Sequence, residues 1–226
     1  MRRQSGSVTL VEIVVLLAVS AAMAGIYFSL SSSVKSARDH IKTDRSLHLA
    51  DDALREFVLL EKRLPCPDLT GSGLEGDGSG TCPAGARIGG LPYVSLRLDL
   101  GSTPAVNRIR FGVWRSGSGV DLVQPGVTPT SMEDFDKRQT LLATAYSMAG
   151  AADDPSQPYV ASRDAQGNVT NCGLADSRPA YALAVSTDSD AVNLTSPCFS
   201  LPVGQDSSFL VVSRNEFLGW LQARWR

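Results

Sequence analysis

The chain has 226 residues, of which 43% are hydrophobic and 19% are charged, and this composition is typical of a globular protein and excludes a disordered one. Its formal net charge of −2 argues against a nucleic-acid-binding protein, because such proteins normally carry a concentrated excess of basic residues. The mean hydropathy of −0.02 averages over two unequal parts, since residues 8–30 contain only one ionisable side chain, Glu12.

Residues 8–30 form the first predicted element, a transmembrane helix. At about 1.5 Å per residue this segment reaches roughly 34 Å, which is enough to cross the hydrocarbon core of a bilayer. Arg2 and Arg3 precede the segment and no basic residue directly follows it, so we expect a cytoplasmic N-terminus and a translocated remainder. Two other interpretations are a plain signal anchor and a secretory signal that is cleaved after Ala24.

Glu12 is a candidate functional residue because it lies within an apolar run. An ionised carboxylate in a membrane span costs about 2.5–3.5 kcal/mol even on the lenient insertion scales, so a functional role is the default interpretation. A structural interpretation is that Thr9 and Glu12 form a helix-capping box, in which the N-terminal helix dipole also favours the carboxylate.

The stretch Gly6-Ser7-Val8-Thr9-Leu10-Val11-Glu12 resembles the class III leader of type IV pilins and type II secretion pseudopilins. The resemblance implies that prepilin peptidase removes a leader of residues 1–7 and that the new N-terminal residue, Val8, is methylated. Glu12 is then the fifth residue of the mature chain, as in that family. The family usually has Gly before the cut, and Gly6 is one residue too early, so cleavage between Gly6 and Ser7 is the alternative.

The same resemblance gives Glu12 a role in filament assembly, in which its carboxylate pairs with the N-terminal amine of a neighbouring subunit. A buried charge is tolerable only when it is paired, so this pairing would dock subunits in one register. The partners that the resemblance implies are other pilins or pseudopilins, prepilin peptidase, the inner-membrane assembly platform and membrane lipid. It implies no cofactor.

Residues 31–63 are predicted to continue the same helix as its amphipathic half, because they contain neither Pro nor Gly. Their apolar positions recur at steps of three and four, which gives one stripe along a helix. The predicted helix runs from about Val8 to Lys62 and ends before Leu64-Pro65, since a proline disfavours helical geometry in the residue before it. In the pilin plan that the resemblance implies, this half packs against a globular head, residues 64–226.

The head contains all four cysteines, and the predicted compartment is oxidising. Two disulfides are therefore expected, and nearest-neighbour pairing as Cys66–Cys82 and Cys172–Cys198 is the simplest arrangement, with the other two connectivities open. Cys66 and Cys82 bracket the core of a Gly-rich segment, residues 65–90, that is predicted to be a loop.

Three carboxylates of this loop, Asp68, Glu75 and Asp77, are candidate calcium ligands. Their spacing does not fit an EF-hand loop, and Asp beside Gly is the ordinary signature of turns. A structural role in the loop is therefore the favoured interpretation.

The rest of the head alternates apolar and polar residues in short runs, which predicts an antiparallel β-sheet and an α+β fold. The predicted strands are residues 108–114, 120–123, 181–186 and 209–213. A helix is predicted at residues 132–149 and a long surface loop at residues 150–179. Ser213 and Glu216 form a capping box for a last helix, whose aromatic stripe is predicted to pack in the core.

No catalytic motif is present in the sequence: it contains no nucleophile elbow, zinc-protease signature, phosphate-binding loop or dinucleotide fingerprint. Its two histidines, His40 and His48, both lie on the predicted helix. We therefore expect a structural protein and not an enzyme: a minor pilin or pseudopilin, held in a bacterial inner membrane by one span with its head in the periplasm. The alternative is a signal-anchored periplasmic binding or adhesion domain that does not polymerise.

Overall fold

The computed structural model describes residues 5–99, 109–116, 120–124, 134–152, 154, 156–161, 179–185, 198–200 and 208–225. These residues form helices α1 (Ser5–Glu61), α2 (Asp134–Ala149) and α3 (Arg214–Arg224), and strands β1 (Ile88–Gly90), β2 (Ile109–Val113), β3 (Tyr159–Ala161), β4 (Pro179–Val185), β5 (Cys198–Ser200) and β6 (Ser208–Ser213). The chain divides into two compact units, Met1–Ile41 and Lys42–Arg226.

The first unit contains the N-terminal part of α1. Its described side chains, residues 13–21, 23 and 41, are all exposed, and the large apolar ones among them have exposed fractions between 50% and 69%. Within the part of the chain that the structure describes, no helix is both long enough and apolar enough to cross a membrane. The membrane span that the sequence predicts over residues 8–30 therefore stays a prediction.

The second unit is an α+β domain built on a four-stranded antiparallel sheet in the order β1-β2-β4-β6, which confirms the predicted fold class at this level. In the centre of the sheet, Phe111 pairs with Leu183, and Leu183 pairs with Leu210 on the other side. Three of the predicted strands become β2, β4 and β6. All five residues of β2 are buried, so both faces of this central part of the sheet are covered.

The C-terminal part of α1 belongs to this domain and contributes a buried stripe to its core. Leu47, Ala50, Leu54 and Val58 are at most 1% exposed and form one cluster with the buried residues of β2 and β4. Full burial of each large apolar side chain contributes roughly 1.5–3 kcal/mol. The helix ends where Lys62 adopts a left-handed backbone conformation, with a φ of 56°, one residue beyond α1 and just before Leu64-Pro65.

Three local predictions about the head were wrong. Residues 65–90 are not entirely loop, because their last three residues form β1, which pairs antiparallel with β2. Residues 120–123 are not a strand, because the Asp121 carboxylate accepts hydrogen bonds from the backbone N–H groups of Val123 and Gln124 and turns the chain after a single bridge to Arg115. Residues 150–179 are not entirely loop, because they include β3, which pairs in parallel with β5 in a second, two-stranded sheet.

The predictions for the two shorter helices agree with the structure. The helix predicted at residues 132–149 is α2, Asp134–Ala149. The last helix is α3, and the Ser213 side chain accepts a hydrogen bond from the backbone N–H of Glu216, as the capping-box pattern predicts. Its Phe217 and Leu221 are buried in the core.

Candidate functional site: the first helix and the disulfide loop

The processing motif lies at the beginning of α1. The helix starts at Ser5, so Gly6, Ser7 and Val8 fall in its first turn and Glu12 lies one turn further along. The side chains of residues 1–12 are outside the described part of the chain. The cleavage position and the assembly role of Glu12 therefore remain predictions.

The other end of α1 is fixed to the head by a buried polar cluster around Asp51. The Tyr181 hydroxyl on β4 donates a hydrogen bond to one Asp51 oxygen, and Arg55 Nε donates to the other at 2.8 Å. Burial raises the pKa of Tyr181 well above its ordinary value, and the neighbouring Asp51 charge acts in the same direction. Tyr181 therefore stays a neutral hydrogen-bond donor at working pH.

Helix α3 closes this cluster. Arg55 lies over the ring of Trp220, 5.3 Å from its centroid, and its Nη2 lies 3.5 Å from Glu216 Oε1. Phe217 packs edge-on against Tyr181 with 6.0 Å between ring centroids. One buried carboxylate thus links α1, the sheet and the last helix.

The loop that follows α1 contains the disulfide Cys66–Cys82, whose Cα atoms are 5.8 Å apart. This pair is the nearest-neighbour pairing that the sequence favours. The second predicted pair, Cys172–Cys198, lies outside the described residues, because Cys172 and the side chain of Cys198 are not described.

Asp68 organises the first turns of this loop. It is 2% exposed, and its carboxylate accepts hydrogen bonds from the backbone N–H groups of Thr70, Gly71 and Gly73 at 2.6–2.9 Å. These hydrogen bonds use the oxygens that a cation would need.

The other two candidate calcium ligands also hold the loop together. Glu75 accepts two hydrogen bonds from Arg63, at 2.7 and 3.0 Å, and a third from the backbone N–H of Cys66 at 2.8 Å. Asp77 accepts from Ser79, and this hydrogen bond lowers the pKa of Asp77. Across the described ranges, no three His, Cys, Asp or Glu residues come together as a metal site.

Sequence reasoning missed the polar residue that connects the disulfide to the sheet, Arg115. It is 3% exposed and lies two residues after the end of β2. Its Nε and Nη2 bind the Asp121 carboxylate at 2.8–3.0 Å, and its Nη1 lies 2.9 Å from Cys82 Sγ. The same Nη1 donates to the carbonyl oxygens of Pro83 and Ala86 at 2.9 and 3.1 Å.

Gln157 extends this network from the other side. It is fully buried, and its side-chain amide makes two hydrogen bonds to the Arg115 backbone, as a neighbouring strand would. Oε1 accepts from the Arg115 backbone N–H at 2.8 Å, and Nε2 donates to the Arg115 carbonyl oxygen at 2.5 Å. Nε2 also donates to Asp154 at 3.0 Å. Arg115 lies 33 positions from Cys82 and 42 positions from Gln157, and no spacing pattern connects these three residues.

Chemically, the described side chains supply buried ion pairs, a disulfide and an exposed apolar helix surface. The carboxylates of the head that already accept hydrogen bonds from the protein's own donors are Asp51, Asp68, Glu75, Asp77, Asp121 and Asp154. Comparison of the chain with protein-family models, with curated proteins and with solved structures gave no match.

Proposed function

We propose that the chain is a minor pilin or pseudopilin, a structural subunit of a type IV pilus or of the pseudopilus of a type II secretion system. The observation that carries the proposal is the course of α1. One continuous helix, Ser5–Glu61, contains the prepilin-like motif in its first turns, and its last turns contribute an apolar stripe to the core of an α+β head.

The exposed apolar surface of α1 supports this proposal. Ile13, Leu16, Leu17 and Met23 are between 58% and 69% exposed, and they lie close together on a helix without an intervening charge. A contiguous apolar surface of this kind needs an apolar environment outside the chain. We propose that lipid surrounds residues 8–30 in the inner membrane. In the filament, the helices of neighbouring subunits surround the same residues.

Glu12 supplies the specificity in this proposal. In the filament its carboxylate pairs with the N-terminal amine that cleavage creates on a neighbouring subunit. The apolar surface drives association without direction, whereas a charge buried in an apolar bundle is tolerated only in the register that pairs it. The chain itself acts as a building block, and prepilin peptidase and the assembly platform are its partners.

The processing step is tested by determining the N-terminus of the mature protein by mass spectrometry. We expect a methylated Val8, from cleavage after Ser7, or a methylated Ser7, from cleavage after Gly6. An intact Met1 would contradict the proposal and favour a signal-anchored periplasmic binding or adhesion domain. An N-terminus at Gly25 would contradict it in favour of a secreted protein.

The assembly step is tested with Glu12→Ala. Loss of the carboxylate should leave membrane insertion intact and strongly reduce recovery of the chain in sheared filaments. Glu61→Ala, at the exposed end of α1, is the matched control and should be incorporated like the wild type. Normal incorporation of Glu12→Ala would rule out the pairing role.

A further inference from the structure

The two sulfurs of the Cys66–Cys82 disulfide have different surroundings. Cys66 is 1% exposed and lies between two buried prolines, Pro65 and Pro67, with its backbone N–H bound to Glu75. Cys82 is half-buried, and its chain neighbours Thr81 and Pro83 are both exposed. A reagent in solvent therefore reaches the sulfur of Cys82 more easily than that of Cys66.

Only Cys82 has a cation beside its sulfur among the described contacts. Arg115 Nη1 lies 2.9 Å from Cys82 Sγ. The guanidinium is also held there by the bidentate pair with Asp121 and by the carbonyl oxygens of Pro83 and Ala86, so contacts other than the one with the disulfide contribute to its position. A charged donor stabilises a thiolate much more than a disulfide sulfur, because the thiolate carries the full negative charge.

We propose that Cys66–Cys82 is a directional thiol–disulfide exchange site, in which Cys82 exchanges with an external disulfide or dithiol and Cys66 is the resolving cysteine. The structure thereby assigns different roles to the two cysteines. The partner class is a thiol–disulfide oxidoreductase, or a small disulfide of the same chemistry. This inference rests on the disulfide loop alone and does not depend on whether the chain polymerises.

Oxidation of the reduced loop takes place in two steps. The Cys82 thiolate attacks one sulfur of the external disulfide, forms a mixed disulfide and releases one external thiolate. The Cys66 thiol then loses its proton to that thiolate and attacks Cys82 Sγ, which releases the second external thiolate. Two protein thiols are oxidised and one external disulfide is reduced to two thiols. Reduction follows the same path in reverse, with attack at Cys82.

Closing this loop also contributes to stability. The two cysteines are 16 positions apart, and the cross-link between them restricts the conformations that this loop can adopt in the unfolded chain. The exchange site therefore controls how firmly the segment after α1 is held.

Glutathione disulfide serves as the probe in the first test. The full-length chain is reduced in detergent, the reductant is removed, and glutathione disulfide is added for short times before acid quenching. Peptide mass spectrometry then locates the adducts. We expect the adduct at Cys82 to form about tenfold faster than at Cys66. Equal rates at the two cysteines, or a faster reaction at Cys66, would overturn the proposal. This applies also if the rates become equal because reduction unfolds the head.

Three variants separate the charge of Arg115 from its structural role. Arg115→Gln should slow adduct formation at Cys82 about tenfold, because the thiolate loses its charged donor. Asp121→Asn should not slow the reaction and should accelerate it, because the guanidinium is then no longer neutralised. Arg63→Gln, which removes the other arginine–carboxylate pair of the loop, is the matched control and should leave the Cys82 rate unchanged.

The outcomes of the variant series are distinct. If Arg115 were only structural, Arg115→Gln and Asp121→Asn would loosen the loop alike and raise the rate at both cysteines. That result would overturn the proposal, and so would an unchanged Cys82 rate in Arg115→Gln. Slowing by Arg63→Gln as large as that by Arg115→Gln would overturn it as well.

Discussion

The two parts of α1 differ in what covers their apolar side chains. In the first unit Leu16 and Leu17 are 69% and 63% exposed, whereas in the second unit Leu54 and Val58 are fully buried. Both parts belong to one unbroken helix, so backbone geometry does not explain the difference. The C-terminal part has partners from its own chain, whereas the described apolar side chains of the N-terminal part are exposed.

The side-chain pattern explains why one helix has two kinds of surface. Between Lys42 and Glu61 charged residues alternate with the stripe, so the helix has one apolar face that a single domain can cover. Between Ile13 and Ala21 every residue except Ser20 is apolar, so the apolar surface runs all round the helix. A helix that is apolar all round is typically enclosed by lipid or by other helices.

Removal of residues 1–41 is expected to have the largest effect. A chain that begins at Lys42 lacks the exposed apolar run but keeps every residue of the second unit. It should stay monomeric without detergent and keep the cooperative unfolding transition of the head, whereas the full chain should require detergent. Size-exclusion chromatography and urea unfolding check this. Aggregation of the shortened chain, or loss of its transition, would break the comparison.

A large effect is also expected from Leu54→Ala. Leu54 is fully buried, so its truncation should destabilise the head by about 2–5 kcal/mol through lost burial and a residual cavity. All three tryptophans, Trp114, Trp220 and Trp225, lie in the head, so their fluorescence in urea reports its unfolding.

Leu17→Ala is the matched control for Leu54→Ala, because it makes the same substitution on the same helix. Leu17 is 63% exposed, so the control should change head stability by less than about 0.5 kcal/mol. Equal losses from both variants would show that the two parts of α1 do not differ as proposed.

A moderate effect is expected from Tyr181→Phe, which removes the hydroxyl that binds Asp51. The Asp51 carboxylate would remain largely buried with one donor fewer, so the head should lose about 1–3 kcal/mol. Tyr146→Phe is the control, since Tyr146 is 71% exposed, and it should have no measurable effect. If Tyr181→Phe were neutral, the apolar stripe alone would hold α1 in the head.

The smallest expected effect is a change in the stability of the head at acid pH. Hydrogen bonds from the Ser156 and Gln157 side chains lower the pKa of Asp154 from 3.8 to about 2. A lowered pKa contributes stability that is present above 3.8 and is lost as the pH falls through about 2.

Asp154→Asn should therefore be less stable than the wild type at pH 7, and the difference should shrink as the pH falls from 3.8 towards 2. Urea midpoints measured across this range check the prediction. Ser156→Ala removes the strongest of these hydrogen bonds and should reproduce part of the effect. A difference that grows towards low pH would contradict the assigned cause.

Features that depend on local chemistry were predicted well from the sequence. The end of α1 near Leu64-Pro65, the position of α2 and the Ser213 cap all follow from proline geometry, helical periodicity and capping within a few residues. The alternation of polar and apolar residues in the run that became β2 likewise predicts a strand from local sequence. The motif from Gly6 to Glu12 is likewise readable only as sequence, since its side chains are outside the described residues.

Tertiary structure alone decided how the polar residues of the head are partnered. Asp51 and Tyr181 meet across 130 positions, and Arg115 meets Cys82 and Gln157 across 33 and 42. A buried carboxylate or guanidinium must be paired. This rule predicts that each buried charge has a partner, but it does not identify the partner residue. The sequence therefore determined the helix, its two kinds of surface and three strands of the main sheet, because these follow from local periodicity, whereas β1 falls in a segment that was predicted to be loop. The partner of each buried charge was decided by chain topology, since only folding brings distant segments into contact.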